Sequence, residues 1–154
     1  TPGLYLDETT LRTCYYHRRL FAQLAKELIK QGDHVRARKV LTYAEQAVPA
    51  YNVPEIYESG SFDIATAYAA LGEKTKAVTL FNHLIAESED YINWAFSLGN
   101  GRTGMMQNDR LYKFWQWNAY NERMKEIDKE SYEASNRRFE EKYALFTQII
   151  NNRN

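Results

Sequence analysis

Three glycines, Gly99, Gly101 and Gly104, have the spacing G-x-G-x-x-G that binds phosphate in dinucleotide-binding proteins. In those proteins the glycines follow a β-strand and open a helix, whose first backbone amides hold the phosphate. Here they follow a long helical pattern, and no stretch of the chain alternates as a strand does. We therefore interpret residues 99–109 as a loop and predict no nucleotide or other cofactor site.

The three histidines, His17, His34 and His83, lie in different predicted helices. None has a second ligand three or four residues away, the spacing with which a helix holds a metal ion. The chain has a single cysteine, Cys14, and no zinc-protease or serine-nucleophile motif. We therefore predict no metal site and no catalytic residue, and we do not expect an enzyme.

Aromatic side chains are numerous, with twelve Tyr, seven Phe and three Trp in 154 residues. Exposed rings beside polar groups bind sugar faces or peptide side chains. Some rings fall outside the predicted apolar stripes, although burial between packed helices is the more frequent explanation for any one of them. The candidate exposed aromatics are Tyr15, Tyr16, Tyr51, Tyr57 and Trp94.

The elements that must position these side chains are helices, and we predict an all-α fold. The only prolines, Pro2, Pro49 and Pro54, lie outside the periodic stretches. The first helix is expected to start at Thr9 or Thr10. Its apolar stripe comprises Leu11, Cys14, Phe21, Leu24, Ala25 and Leu28. The predicted helices cover residues 9–32, 34–48, 61–71, 74–98 and, as two helices with a short turn between them, 108–151.

Two segments share one pattern of large, small and turn residues at an offset of forty positions. The first contains Phe21, Leu24, Ala25, Leu28, Gly32, Ala37, Leu41, Ala44 and Pro49. The second contains Ser61, Ile64, Ala65, Tyr68, Gly72, Ala77, Phe81, Leu84 and Glu89. Each is a helical hairpin around a glycine turn, and the pattern resembles a tetratricopeptide repeat, which presents a surface to a partner.

We therefore predict a single helical-repeat domain over residues 1–154. It is expected to be a right-handed solenoid of three antiparallel hairpins, with repeat-like hairpins at 9–49 and 61–98. The hairpin at 108–151 lacks the small residues of the repeat, and we expect it to cap the array.

The first helix of each tetratricopeptide hairpin lines the binding groove, and the register therefore predicts the groove residues. These are Arg19, Ala22, Lys26, Ile29, Phe62, Asp63 and Thr66. Family members that bind chaperone tails use a two-carboxylate clamp of Lys, Asn and Arg in this register. Only Lys26 matches that clamp, so we do not expect a chaperone adaptor.

Charge is segregated along the chain although its net value is zero. Basic and acidic residues number 8 and 5 in residues 1–50, 2 and 7 in 51–100, and 10 and 8 in 101–154. A nucleic-acid binder usually has an overall positive excess, so that partner is not expected. An uneven field suits docking to a protein or an anionic group, although solvated helix faces explain such charge more often.

Three short segments carry a resemblance to one family of membrane proteins. They are Gly3-Leu4-Tyr5-Leu6-Asp7-Glu8, Cys14-Tyr15-Tyr16-His17-Arg18-Arg19-Leu20-Phe21-Ala22 and Pro49-Ala50-Tyr51-Asn52-Val53-Pro54. The chain resembles, to about Leu98, the C-terminal soluble region of multi-spanning Bacteroidetes proteins that have been likened to protein O-mannosyltransferases. The resemblance implies a parent glycosyltransferase whose catalytic acid lies outside this chain. It also implies an extracytoplasmic, periplasmic location for this region.

These observations predict a non-catalytic module that recognises a polypeptide, either an acceptor or another part of the parent protein. No run of apolar residues approaches the ~20 that cross a bilayer. Two alternatives stay open: a carbohydrate-binding helical domain that uses exposed aromatics, and a purely structural or dimerisation domain.

Overall fold

The computed structural model describes residues 3–98 and 107–151, and it confirms the all-α prediction within them. The helices are α1 (Glu8–Lys30), α2 (His34–Ala47), α3 (Ser61–Ala70), α4 (Lys74–Ser97), α5 (Gln107–Ile127) and α6 (Lys129–Asn151), with a 3-10 turn at Tyr57–Ser59. In these two ranges there is no strand, and no helix is long and apolar enough to cross a membrane. The glycines of the G-x-G-x-x-G motif lie outside the described residues.

Residues 1–84 and 85–154 form two compact units, and the boundary falls within α4. We call them unit 1 and unit 2. In unit 1, α1 packs against both α2 and α3. In unit 2, α5 packs along α6.

The two helical turns of unit 1 have the same hydrogen bonds forty residues apart. Gly32 and Gly72 have φ values of 77° and 76°, a left-handed conformation that glycine adopts without steric cost. The amide of Gly32 donates to Ile29 O, and the next amide, of Asp33, donates to Leu28 O. Gly72 and Glu73 repeat both bonds, which together form the Schellman motif that ends a helix. The forty-residue offset seen in the sequence is therefore also an offset of local geometry.

Small residues lie where the helices of unit 1 touch. Ala25 and Ala65 are fully buried at equivalent positions of α1 and α3. Ala37 and Ala77 are fully buried at equivalent positions of α2 and α4. A methyl group lets two helix backbones approach closely, so these alanines set the helix spacing. Leu24 departs from the predicted stripe, because half of its side chain is exposed.

The start of α1 also differs from the prediction. Asp7 caps the helix: its Oδ1 accepts a hydrogen bond from the amide of Thr10 at 2.9 Å. This bond lowers the pKa of the Asp7 carboxyl. The helix therefore begins at Glu8, before the two threonines, because a carboxylate in this position satisfies an amide that the helix leaves unpaired.

The core of unit 2 combines aromatic rings with a buried polar chain. The ring of Phe114 lies 5.3–5.7 Å from the rings of Phe139, Tyr143 and Phe146. Beside these rings, Trp117 Nε1 donates to Ser135 Oγ at 2.8 Å. Ser135 Oγ in turn donates to Asn121 Oδ1 at 2.6 Å, so these polar groups are buried with partners.

Candidate functional site

Arg18 is the most heavily bonded side chain of unit 1. It lies on α1, is buried, and donates five hydrogen bonds to the connector between α2 and α3 and to the residues beside it. Its Nη2 donates to the carbonyls of Val48 and Val53 at 3.0 and 2.9 Å. Its Nη1 donates to the carbonyl of Pro54 at 2.8 Å, and to Ser59 Oγ and Ser61 Oγ at 2.8 and 3.3 Å.

The Arg18 guanidinium donates these bonds to carbonyl and hydroxyl oxygens, and Glu55 is a carboxylate whose charge acts on it. Burial lowers its pKa, but an arginine in a protein keeps its proton. Carbonyl and hydroxyl dipoles therefore replace the water that the charge has lost. These bonds join residues 14–22 of α1 to residues 49–54 of the connector and hold the connector in place.

A cleft opens in unit 1 beside this connector. One part has a volume of about 310 Å³ and is lined by apolar groups that include Val48, Ile64 and Leu80. The adjoining part measures about 210 Å³, and more of its lining residues are polar, among them Lys76 and His83. Both parts share Glu45, Glu55 and Leu80, so they lie side by side, and together we call them the cleft. Its size lies at the lower end of small-ligand sites.

Three side chains at the polar end of the cleft hold one another in place. The Tyr68 hydroxyl donates to Glu45 Oε1. Lys76 Nζ lies 3.2 Å from both Glu45 oxygens and 4.8 Å from the centre of the Tyr68 ring. Burial, followed by the bond to Glu45, raises the pKa of Tyr68, so this phenol stays protonated. It is therefore a fixed donor to Glu45 and not a base.

Glu55 and His83 form a second pair at the rim. His83 Nδ1 lies 2.8 Å from Glu55 Oε2. The carboxylate is largely covered, while the imidazole is mostly exposed. The cleft therefore has an apolar floor with carboxylates, an ammonium, a guanidinium, a phenol and an imidazole around it. Such a site can orient a ligand through its polar groups and bury an apolar part of it.

The predicted groove residues do not all face solvent. Ala22 is only 2% exposed, which contradicts its predicted place in a groove, because the α1 face that carries it is packed in the core. Arg19 lies across Gly60 and donates to the carbonyl of Glu58 at 3.2 Å. Lys26 is exposed and Ile29 is half-buried.

The α3 residues of the predicted groove differ from one another. Phe62 is half-buried, with its ring 5.5 Å from Tyr57 and 6.0 Å from Phe81. Asp63 is exposed. Thr66 is half-buried and donates to the carbonyl of Phe62 at 2.9 Å.

The candidate exposed aromatics are of two kinds. Tyr16, Tyr51 and Trp94 are exposed, whereas Tyr15 and Tyr57 are half-buried. Tyr51 lines the apolar part of the cleft. Trp94 lies on the unit 2 part of α4, where its ring is 5.5 Å from Tyr91.

Sequence reasoning missed several residues of the cleft and one aromatic pair. Arg18 lies in the one gap of the stripe 11-14-18-21-25-28, so its burial was predictable from the spacing. The contacts of Tyr68 and Lys76 with Glu45 could not be predicted from spacing, because Glu45 is distant from both in sequence. The rings of Tyr112 and Trp115 on α5 are nearly parallel, with 9° between their planes, and both are exposed.

Comparisons with known proteins return nothing for this chain: no family model, no curated protein and no solved structure matches it. Over residues 3–98 and 107–151, no cluster of three or more His, Cys, Asp or Glu side chains is placed to hold a metal ion.

Proposed function

We propose that this chain is a non-catalytic recognition module whose unit 1 binds a polypeptide segment in the cleft. In this proposal α1–α2 and α3 with the start of α4 are tetratricopeptide-like hairpins of a short solenoid. The supporting observation is the cleft itself, which is built by both hairpins and the connector. Its apolar floor lies beside polar groups that are already fixed by one another, so little ordering is needed on binding.

The cleft best suits a side chain with an apolar stem and a cationic end. Glu45 and Glu55 bring two carboxylates to the lining, and Lys76 brings one ammonium. The guanidinium of Arg18 also lines the apolar part, but its Nη atoms already donate to the connector carbonyls and to two serine hydroxyls. Lysine and arginine side chains bury their methylene stems on apolar surface and keep the charged group at the rim. An incoming cation would contact Glu55 and share Glu45 with Lys76.

A titration of the ¹⁵N-labelled full chain tests this function. Three peptides would differ only at one central residue, which is Lys, Gln or Glu. The Lys peptide should bind most tightly and shift amides at the end of α2 and in residues 75–83. A variant with Glu45→Gln and Glu55→Gln should weaken it by about fivefold or more, because exposed charge pairs contribute up to about 1 kcal/mol each.

The control variant is Asp63→Asn, which removes an exposed carboxylate of unit 1 outside the cleft. It should leave the affinity unchanged. Shifts confined to Arg19, Lys26 and Phe62 would instead assign binding to the originally predicted groove. No shift with any peptide would contradict the proposed function.

A carbohydrate-binding function is the second candidate, and the pair Tyr112–Trp115 favours it. The two rings are exposed and nearly parallel, with centroids 5.8 Å apart, and an outward ring face is the kind of apolar surface on which sugar rings stack. Short mannosides, added in a separate titration, should then shift α5 amides and quench tryptophan fluorescence. Loss of both effects in Trp115→Ala would support sugar binding at this pair. Absence of both effects in the unsubstituted chain would exclude binding of these sugars.

The resemblance to mannosyltransferase-like membrane proteins adds a proposed context, with this module on the extracytoplasmic side. If the longer protein glycosylates polypeptides, Glu45→Gln with Glu55→Gln should raise KM for a long polypeptide acceptor. The same variant should leave a minimal acceptor, too short to reach the cleft, unaffected. Equal effects on both acceptors would contradict this context.

A further inference from the structure

One face of the first hairpin is open, although the equivalent face of the second hairpin is covered. The forty-residue register relates Leu24 on α1 to Ile64 on α3. Leu24 is 49% exposed and Ile64 only 5%. Within unit 1, α1 packs against α2, α3 and the turn at Tyr57–Ser59, and these contacts leave Leu24 half exposed. The same chemical position is therefore an interior contact in one hairpin and bare surface in the other.

The bare surface extends over both helices of the hairpin. Leu20 lies one turn before Leu24 on α1 and is also exposed. Tyr43 on α2 is 59% exposed, and its ring meets the edge of the Phe21 ring at 5.5 Å, which places α2 beside α1 on this side. We call this surface the outer face and define it by Leu20, Leu24, Arg36, Lys39 and Tyr43.

The outer face carries basic residues without a carboxylate from another hairpin, whereas a basic residue of the covered face is paired with such a carboxylate. Lys76 on α4 pairs with Glu45, which the neighbouring hairpin supplies. Its equivalent, Arg36, uses Nε for Asp33 of its own turn, and its side chain is 69% exposed. Lys39 is exposed and has no hydrogen-bond or ion-pair partner in the described part of the chain.

A second copy of this chain is a poor occupant for two reasons. The covered face has Gly60 where the outer face has Leu20, and a Cβ on Gly60 would lie only 2.6 Å from Arg19 Cγ. Stacking a copy on Leu20 as α1 stacks on α3 would therefore produce a clash. Pairing two outer faces would instead bring Arg36 and Lys39 of one copy near those of the other, which is repulsive.

We propose that the outer face binds an amphipathic helix of another protein, whose apolar stripe is flanked by carboxylates. Leu20, Leu24 and Tyr43 contact the stripe. Arg36 and Lys39 pair with the acidic flank, as Lys76 pairs with Glu45 within the chain. This surface is separate from the cleft residues, so the inference holds or fails independently of the function proposed above.

Two helical peptides of roughly 20 residues, long enough to form helix in a complex, are the probes. They share one Leu/Ala stripe, which is flanked by Glu in one peptide and by Lys in the other. Each is titrated into the labelled full chain. The acidic peptide should bind at least about tenfold more tightly and shift the amides of residues 20–24 and 36–43.

Two variants and one control sharpen this test. Leu24→Glu should abolish binding without altering helix content by circular dichroism, because Leu24 is half exposed. Lys39→Glu should weaken the acidic peptide and strengthen the basic one, each by a few-fold. Leu145→Glu, which charges an equally exposed leucine of unit 2, should change nothing.

Several results would overturn the proposal. Equal affinity for both peptides would contradict the selection of an acidic helix, and shifts outside α1 and α2 would show that the outer face is not the binding surface. Absence of binding by both peptides would contradict the whole proposal. A concentration-dependent dimer in analytical ultracentrifugation that Leu24→Glu abolishes would show that the outer face belongs to a second copy.

Discussion

Replacing Gly60 with alanine tests how α1 and α3 are held together. Gly60 caps α3 with φ of 84°, and Arg19 of α1 lies directly over it. A Cβ at this position would lie 2.6 Å from Arg19 Cγ, 3.1 Å from its backbone N and 3.2 Å from its Cα. The side chain of Arg19 can move away, but the helix backbone behind it can move only if the two helices separate.

The expected magnitude has two parts. An L-residue in the left-handed region costs about 1–2 kcal/mol. Overpacking a tight contact costs about 1–3 kcal/mol more. Gly60→Ala should therefore lower the free energy of unfolding by about 2–5 kcal/mol. Gly32→Ala and Gly72→Ala are matched controls, because both have the same φ with nothing within 4 Å of the added Cβ, and they should show only the first part.

Urea denaturation followed by the amide NMR signals of residues 8–84 measures these free energies for unit 1 alone. Tryptophan fluorescence serves as an internal reference, since all three tryptophans lie in residues 85–154. In the double variant with Arg19→Ala the 2.6 Å contact is gone, so part of the loss should be recovered. If Gly60→Ala lowers the free energy of unfolding no more than Gly72→Ala does, the close contact between α1 and Gly60 is contradicted.

Three further predictions concern buried or capping groups. Arg18→Ala should destabilise unit 1 by about 3–5 kcal/mol in the same denaturation, because it leaves buried carbonyls without donors, while Arg19→Ala should cost far less. Ser135→Ala should cost about 1–3 kcal/mol and alter tryptophan fluorescence, because Trp117 Nε1 loses its acceptor; an unchanged spectrum would contradict that bond. Hydrogen bonds from the Arg36 amide and side chain lower the pKa of the Asp33 carboxyl below its usual 3.8. The capping of α2 by Asp33 therefore stabilises the fold above pH 4, and this stabilisation is lost as the pH falls through the lowered pKa. Amide exchange of α2 should accelerate in that pH range, and Asp33→Asn should make the exchange less dependent on pH.

Local patterns in the sequence were sufficient for the helices and their turns. Apolar residues at helical spacing predicted α2, α3 and α4 to within one or two residues. Gly32 and Gly72 predicted both turns, since few other residues adopt the left-handed conformation. The start of α1 was wrong because a capping carboxylate two residues earlier competes with the threonines.

The candidate site was less accessible to sequence reasoning. Groove residues were assigned from a repeat register, which gives the face of a helix but not what packs on it. Ala22 was therefore placed in a groove although it is buried. Whether Tyr15 and Tyr57 are half-buried while Tyr16 and Tyr51 are exposed depends on neighbouring helices in the same way.

The sequence by itself determined the helical class, the two glycine turns and the forty-residue offset between them, because these follow from interactions over a few residues. Only the tertiary structure decided which repeated positions are covered. Ile64 is interior and Leu24 is surface, although both satisfy the same pattern. The cleft around Glu45 and Lys76 likewise depends on residues far apart in the chain, and their meeting is set by how α1 and its neighbours pack.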